Sequence, residues 1–219
     1  MKKRPFDVGN QIQMCKANLR EHLRRSVWER VGKKGSTISV SGRKRLLGRY
    51  TTGVAAEFQA WLGFTHAQVK NEYAKSVLLS NLVCEFEENH IGMLYEFVGQ
   101  VNALPIPDDR QRLEVVSRKM RVLFEDRTWA GLAGLTALTV LESTSPIFIP
   151  ILARTAKSLG ADNFEYTDCH GSADVKHSRE CEKALGHEMA TGGDDPVAVV
   201  VDASSITMHF LYQIFEDAI

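Results

Sequence analysis

"DCHGSADVKHSREC", residues 168–181, is the stretch on which the reading of this chain turns. On a helix advancing about 100° per residue, offsets of four and seven place His170, Asp174 and His177 within roughly 60° of one another. One helix face then carries two imidazoles and a carboxylate. Such a stripe either binds something cationic or is a solvated surface rich in histidine, and its surroundings have to decide between the two.

Those surroundings are helical. Apolar residues recur at three- and four-residue spacing in "AAEFQAWLGF" (55–64), "EYAKSVLLSNLVCEFEENHIGMLYEFVGQV" (72–101), "DDRQRLEVVSRKMRVLFEDR" (108–127), "WAGLAGLTALTVLEST" (129–144) and "SADVKHSRECEKALGHEM" (172–189). Strand signals are confined to "STISVSG" (36–42) and "VAVVVDA" (197–203). Pro105 and Pro107 punctuate one boundary, Ser145-Pro146 breaks another helix, Gly160 stops the next, and "TGGDDP" (191–196) precedes the last. The expectation is an all-α, single-domain bundle of about seven to eight helices over residues 1–219. Residues 1–50 would form basic N-terminal helices and 50–215 the core. Residues 128–159, whose only charges are Arg154, Lys157 and Glu142, read as the most buried helical hairpin.

With 219 residues and 44% hydrophobic content the chain can bury a sizeable core. The longest apolar run, around "PIFIPIL" (146–152), is short and holds two prolines, so a soluble, unsecreted, cytoplasmic protein with no membrane partner is expected. Cys15, Cys84, Cys169 and Cys181 lie far apart without a C-x-x-C pair, which points to reduced thiols rather than a zinc knuckle or a disulfide framework. The formal net charge is zero. Residues 1–50 nevertheless hold fourteen Lys and Arg against Asp7, Glu21 and Glu29. Such an asymmetry either marks a nucleic-acid-binding arm or reflects basic helices over an acidic body. The second reading is favoured, because apolar residues interrupt the basic ones and no nucleic-acid motif is present.

The chemistry-bearing residues cluster. In "CEFEENH" (84–90), Glu87 and His90 form E-x-x-H, an offset that aims a carboxylate and an imidazole at one point, as in carboxylate-bridged di-iron bundles. Glu142 stands in a strongly apolar stretch, where a carboxylate is costly unless paired, protonated or bound to metal. With His170, Asp174 and His177 the inventory is three imidazoles and three carboxylates. Iron and manganese favour nitrogen and oxygen donors of this kind.

The spacing H-x3-D-x2-H at 170–177, Glu142 ahead of it, and "NLVCEFEENHIGMLYEF" (81–97), similar to an N-L-x-x-E followed by a histidine and an aromatic tail, resemble the heme-oxygenase-like di-iron oxidases and oxygenases. The likeness covers residues 50 to 215. Its N-L-x-x-E register selects Glu85, whereas regular helical geometry with His90 selects Glu87, so both stand as candidates. The resemblance implies a heme-oxygenase-like bundle whose metal ligands come from Glu85, Glu87, His90, Glu142, His170, Asp174 and His177. It implies two Fe(II) ions, with manganese as the alternative, and O2 as co-substrate. A small amino-acid-like or amine metabolite would be oxidised through a peroxo-di-iron(III) intermediate, by N-oxygenation, desaturation, carbon–carbon cleavage or nitrile formation. It also implies unevenly held metals on a mobile helix, with His170 the loosest ligand.

Glu57, Trp61, Phe64, Phe86, Tyr95 and Phe97 are candidates to line the substrate cavity, and an arginine of the basic segment is a candidate clamp for a substrate carboxylate. An external electron donor and, by analogy with similar bundles, a homodimer complete the expected partners. Competing readings are a metal-free, nucleic-acid-binding helical protein and a metal-dependent hydrolase. The adjacent His-Asp doublet of one large hydrolase class is absent from the sequence, as are a second E-x-x-H, a phosphate-binding glycine loop and a nucleophile elbow.

Overall fold

A computed structural model describes residues 6–33, 36–125, 128–191 and 194–216. Lys2, Lys3, Arg4 and Lys34 of the basic segment, and Gly192 and Gly193 of the last turn, lie outside these. Among the described residues the chain is all-helical, with nine α-helices and no strand. They are α1 (Val8–Arg25), α2 (Val40–Tyr50), α3 (Ala56–Gln68), α4 (Glu72–Glu87), α5 (His90–Gly99), α6 (Pro107–Glu125), α7 (Ala130–Lys157), α8 (Glu165–Met189) and α9 (Pro196–Ile214). A 3-10 turn (Val27–Arg30) follows α1, and a π-helical turn (Thr51–Ala55) joins α2 to α3. Both strand-like runs are overridden: "VAVVVDA" lies in α9, and Ser39 of "STISVSG" caps α2 by accepting a hydrogen bond from the Gly42 N–H at 3.0 Å.

The bundle is organised around α7, which packs against α1, α2, α3, α6, α8 and α9. Every residue from Ala130 to Ser145 is buried, the pattern of a helix that is apolar all round. Its threonines are accommodated because Thr136, Thr139 and Thr144 return their hydroxyls to the carbonyls of Leu132, Leu135 and Val140 at 2.7–2.8 Å. Gly131 permits close approach to α3, since a methyl group there would lie 2.6 Å from the Gln68 carbonyl oxygen. Two helices among the described residues, α7 and α9, are long and apolar enough by length and composition to cross a membrane. Most of α7, however, is enclosed by other helices, as befits a core element.

The expected helical hairpin at 128–159 is instead this single helix, which runs through Pro146 and Pro150. An interior proline removes a backbone donor and leaves the carbonyl four residues earlier without its partner. For Pro146 that carbonyl belongs to Glu142, and the Ser145 hydroxyl takes it up at 2.9 Å. A second difference lies at Asn89. The run 72–101 is not one helix but two, because Asn89 adopts a left-handed φ of 52° between α4 and α5.

The basic N-terminal segment is part of the bundle. Ile12, Leu19 and Leu23 of α1 and Leu46 and Leu47 of α2 are buried, and Trp28 donates its indole N–H to the Phe215 carbonyl at 2.9 Å. Its charges reach acidic partners elsewhere, Lys16 meeting Glu182 and Arg45 the buried Asp109. Arg49 is itself buried and donates to the Glu216 carbonyl at 2.8 Å beyond the end of α9. At the opposite end, the Glu188 carboxylate of α8 accepts the Lys70 and Asn71 N–H groups at 2.8–3.1 Å, fixing the start of α4.

Candidate metal centre

Four helices bring the acidic and imidazole side chains together. Asp174 and His177 of α8 are buried, and His170 is mostly so. The stripe therefore faces the interior, where α7 presents the buried Glu142. The third contribution comes from the α4–α5 corner. In one continuous helix the five-residue offset between Glu85 and His90 would point them about 140° apart. The left-handed Asn89 breaks the helix and restarts it, bringing His90 Nδ1 to 2.8 Å from Glu85 Oε1 with both side chains buried. Glu87, the choice of regular helical geometry, is exposed to solvent at the end of α4 and takes no part in the cluster.

The donors fall into two adjoining groups. Donor atoms of Glu85, His90 and His170 lie within 4.8 Å of one another, as do those of Glu142, Asp174 and His177. Within the first group His90 Nδ1 is 2.8 Å from Glu85 Oε1 and the His90 and His170 ring centroids are 4.7 Å apart; within the second His177 Nδ1 is 3.7 Å from Glu142 Oε1; and His170 Nδ1 lies 3.1 Å from Asp174 Oδ1. The His170–Asp174 contact links one group to the other.

Electrostatics show what this assembly lacks. Burial, followed by the charges of Asp174 and Glu85, pushes the Glu142 carboxyl well above its ordinary range. Burial also lowers His177, so that the positive form is disfavoured beside its acidic neighbours. His90 is the exception. Burial alone would lower it, but the hydrogen bonds and charges of Glu85 and then Glu88 outweigh that effect and raise it to about 9. Crowded buried carboxylates of this kind are relieved by a bound cation. Two buried atoms, His170 Nε2 and Asp174 Oδ2, also lack a hydrogen-bond partner, although buried polar atoms ordinarily have one. The donor set fits iron in both its chemistry and its open valences.

A pocket of about 490 Å3, counted to its open mouth, lies over this centre. Its apolar wall comprises Val54, Phe58, Ile91, Leu141 and Phe148, and the phenols of Tyr50 and Tyr166 meet at 2.7 Å on its inner side. None of the six residues expected to line the cavity does so. Phe64, Phe86 and Tyr95 are exposed, Trp61 stacks on Phe124 in the core, Phe97 packs on Phe164 and Tyr166, and Glu57 pairs with Arg121 at 3.2 Å. Nor does an arginine from the basic segment reach the pocket; among the described residues its lining holds no Lys or Arg. The true liners had partial signals. Tyr166 precedes His170 by four residues and Ser145 follows Glu142 by three, both same-face offsets. Tyr50 precedes a π-helical turn and Val54 lies within it, and the turn shifts the helical phase and hides both from periodicity.

Comparison with known proteins agrees with this architecture. A family described as iron-containing redox enzymes matches residues 51–205, and the chain belongs to it. No curated protein matches the chain. Among solved structures it is similar to a TenA homolog from Pseudomonas syringae pv. tomato, with a TM-score of 0.65, 10% sequence identity, and coverage of 96% of this chain and 91% of that one. That likeness places the chain in the heme-oxygenase-like fold. The family supports an oxidoreductase that contains iron.

Proposed function

We propose that the protein is a non-heme di-iron oxidase or oxygenase that uses O2 to oxidise a small amine-bearing or amino-acid-like metabolite. The observation that carries this reading is the pair of buried His/carboxylate groups with unpartnered donor atoms, opening on a narrow aromatic pocket. Glu85, His90 and His170 would hold one metal and Glu142, Asp174 and His177 the other, with manganese as a chemically acceptable substitute. Bound iron would supply the electrons and the open coordination position that O2 requires.

The chain's own residues do the rest. Asp174 fixes the ring of His170 through Nδ1 and leaves Nε2 free to ligate. Glu142, whose carboxyl burial holds above its ordinary range, would give up its proton to a bound metal and serve as an anionic ligand. Val54, Phe58, Ile91 and Phe148 exclude water from the substrate side. A pocket lined by acidic and aromatic groups, with no Lys or Arg among its described lining residues, favours an amine or an apolar group over a carboxylate as the portion that enters. Transfer of one oxygen atom to substrate with reduction of the other to water takes two further electrons and two protons, so an external donor belongs to this reading.

The test is anaerobic Fe(II) titration with metal analysis, followed by rapid mixing with O2 in the presence of candidate amines and amino acids. Wild type should retain about two irons per chain and consume O2, while His177→Ala should lose metal and activity together. Failure of wild type to retain iron, or identical behaviour of His177→Ala, would remove the proposal.

A further inference from the structure

The α4–α5 corner carries a second set of donors, on the solvent side of His90. The Nδ1 atom of this imidazole faces Glu85, but its Nε2 atom faces outward, 2.9 Å from Glu88 Oε2 and 3.3 Å from the Cys169 sulfur. The Cys169 thiol also donates to Glu88 Oε2 at 3.1 Å, and donor atoms of Cys84, Glu88 and His90 all lie within 4.8 Å of one another. Four donors of three chemical kinds thus converge from the end of α4, the start of α5 and the first turns of α8. Tetrahedral zinc bound to sulfur, nitrogen and oxygen has donor-to-donor edges of about 3.3–3.8 Å, a range bracketed by the 2.9–3.3 Å contacts among Glu88, His90 and Cys169 and the 4.8 Å limit within which Cys84 meets Glu88 and His90. Glu88 is about half exposed (51%) while His90 is buried (2%), so a cation would enter from solvent and seat against the corner.

We propose that Cys84, Glu88, Cys169 and His90 Nε2 form a rim site for a thiol-seeking divalent cation such as zinc, separate from the buried nitrogen and oxygen donors. Binding releases both thiol protons to solvent and leaves two thiolates, one imidazole nitrogen and one carboxylate on the cation. Thiolates select zinc over Fe(II) or Mn(II), so ligand softness sorts two kinds of metal on either side of one histidine.

The shared histidine has a further effect, which rests on the iron reading above. A neutral imidazole offers one lone pair. With a cation on Nε2, the Nδ1–H donates to Glu85; with a metal on Nδ1, the Nε2–H donates to Glu88. Filling the rim site therefore withdraws His90 from the buried centre.

The test uses the full chain, reduced and under argon, titrated with Co(II) while the near-ultraviolet thiolate-to-cobalt charge-transfer absorption is followed. That band reports sulfur ligation and ignores cobalt bound at the buried centre. Wild type and Glu142→Gln should both show it. The double variant Cys84→Ser/Cys169→Ser should lose it, and its zinc affinity, measured by competition with a chromophoric chelator, should fall by more than about tenfold. No band in wild type, or a band unchanged in the double variant, overturns the site. Zinc loaded first should lower Fe(II) uptake by about half in wild type and leave the double variant unaffected. Equal uptake in both overturns the shared-histidine effect. Sulfur ligation of cobalt with no Fe(II) uptake would sink the iron reading and leave the rim site standing.

Discussion

The two sides of the candidate metal centre are built by opposite means. On α8, an unbroken helix sets His170, Asp174 and His177 by arithmetic, and the intervals of four and three residues suffice. At the α4–α5 corner, regular helix would keep Glu85 and His90 apart, and only the left-handed Asn89 brings them to 2.8 Å. Glu88 N–H and Asn89 N–H close the end of α4 on the carbonyls of Cys84 and Phe86, and the Asn89 carbonyl accepts from Met93 to begin α5. A helical interval therefore fixes ligands only where the helix continues. Where it stops, the break itself becomes the positioning device.

The largest effects that would sharpen this contrast concern metal. Asp174 belongs to one donor group and touches His170 of the other, so Asp174→Ala should abolish retention of both irons, a loss of about a hundredfold or more in affinity. Glu85→Ala should remove only the metal at the corner. Metal analysis after anaerobic loading and gel filtration separates these outcomes, and equal losses in the two variants would mean that the two sides are not distinct.

Next in size is the coupling of metal to stability. At an Fe(II) concentration one hundred times its Kd, the native state should gain about 2.7 kcal/mol. For a chain of this length that corresponds to a rise of roughly 5–10 °C in Tm. Differential scanning calorimetry under argon should show the rise in wild type and not in Asp174→Ala.

A smaller effect is expected at the corner's backbone. Asn89→Val forces a β-branched residue into left-handed geometry and should cost about 1–2 kcal/mol in urea denaturation, with weaker iron binding. Asn89→Gly should stay within about 0.5 kcal/mol of wild type, because glycine adopts this geometry without strain. If both variants behaved alike, the corner would not depend on the left-handed residue.

The smallest expected effect is at Glu87. Exposed and outside the cluster, it should tolerate Glu87→Gln with stability unchanged to within about 0.5 kcal/mol and iron content unaltered. Loss of iron in this variant would reverse the choice between Glu87 and Glu85.

The same contrast explains what could be read from the sequence. Helical periodicity and punctuation by Gly and Pro identify an all-α bundle, and the α8 stripe is legible because nothing interrupts it. Asn89 was not legible as a break, since a single Asn inside "EFEENHIGML" leaves the apolar pattern intact on both sides. Pro146 misled in the other direction: a proline usually ends a helix, yet here Pro146 and Pro150 stand on the exposed side of α7 while the buried residues around them and the Ser145 hydroxyl on the Glu142 carbonyl hold the helix together. The cavity liners escaped because a helical pattern shows that an aromatic side chain is inward-facing, not which inward-facing residue meets open space. Trp61 and Phe58 share α3, but Trp61 stacks on Phe124 and Phe58 borders the pocket.

The central position of α7 bears on how the protein is made. The stretch 158–214, 57 residues long, carries α8 and α9, which cover two faces of α7. At about 5–20 residues per second, the ribosome takes roughly 3–12 s to supply them after α7 has been synthesised. Throughout that interval the long, apolar α7 lacks two of the neighbours that cover it, which favours association with other chains or need for a chaperone. Asp174 and His177 emerge within the same interval, so a metal held by them would be captured only after α8 has been synthesised.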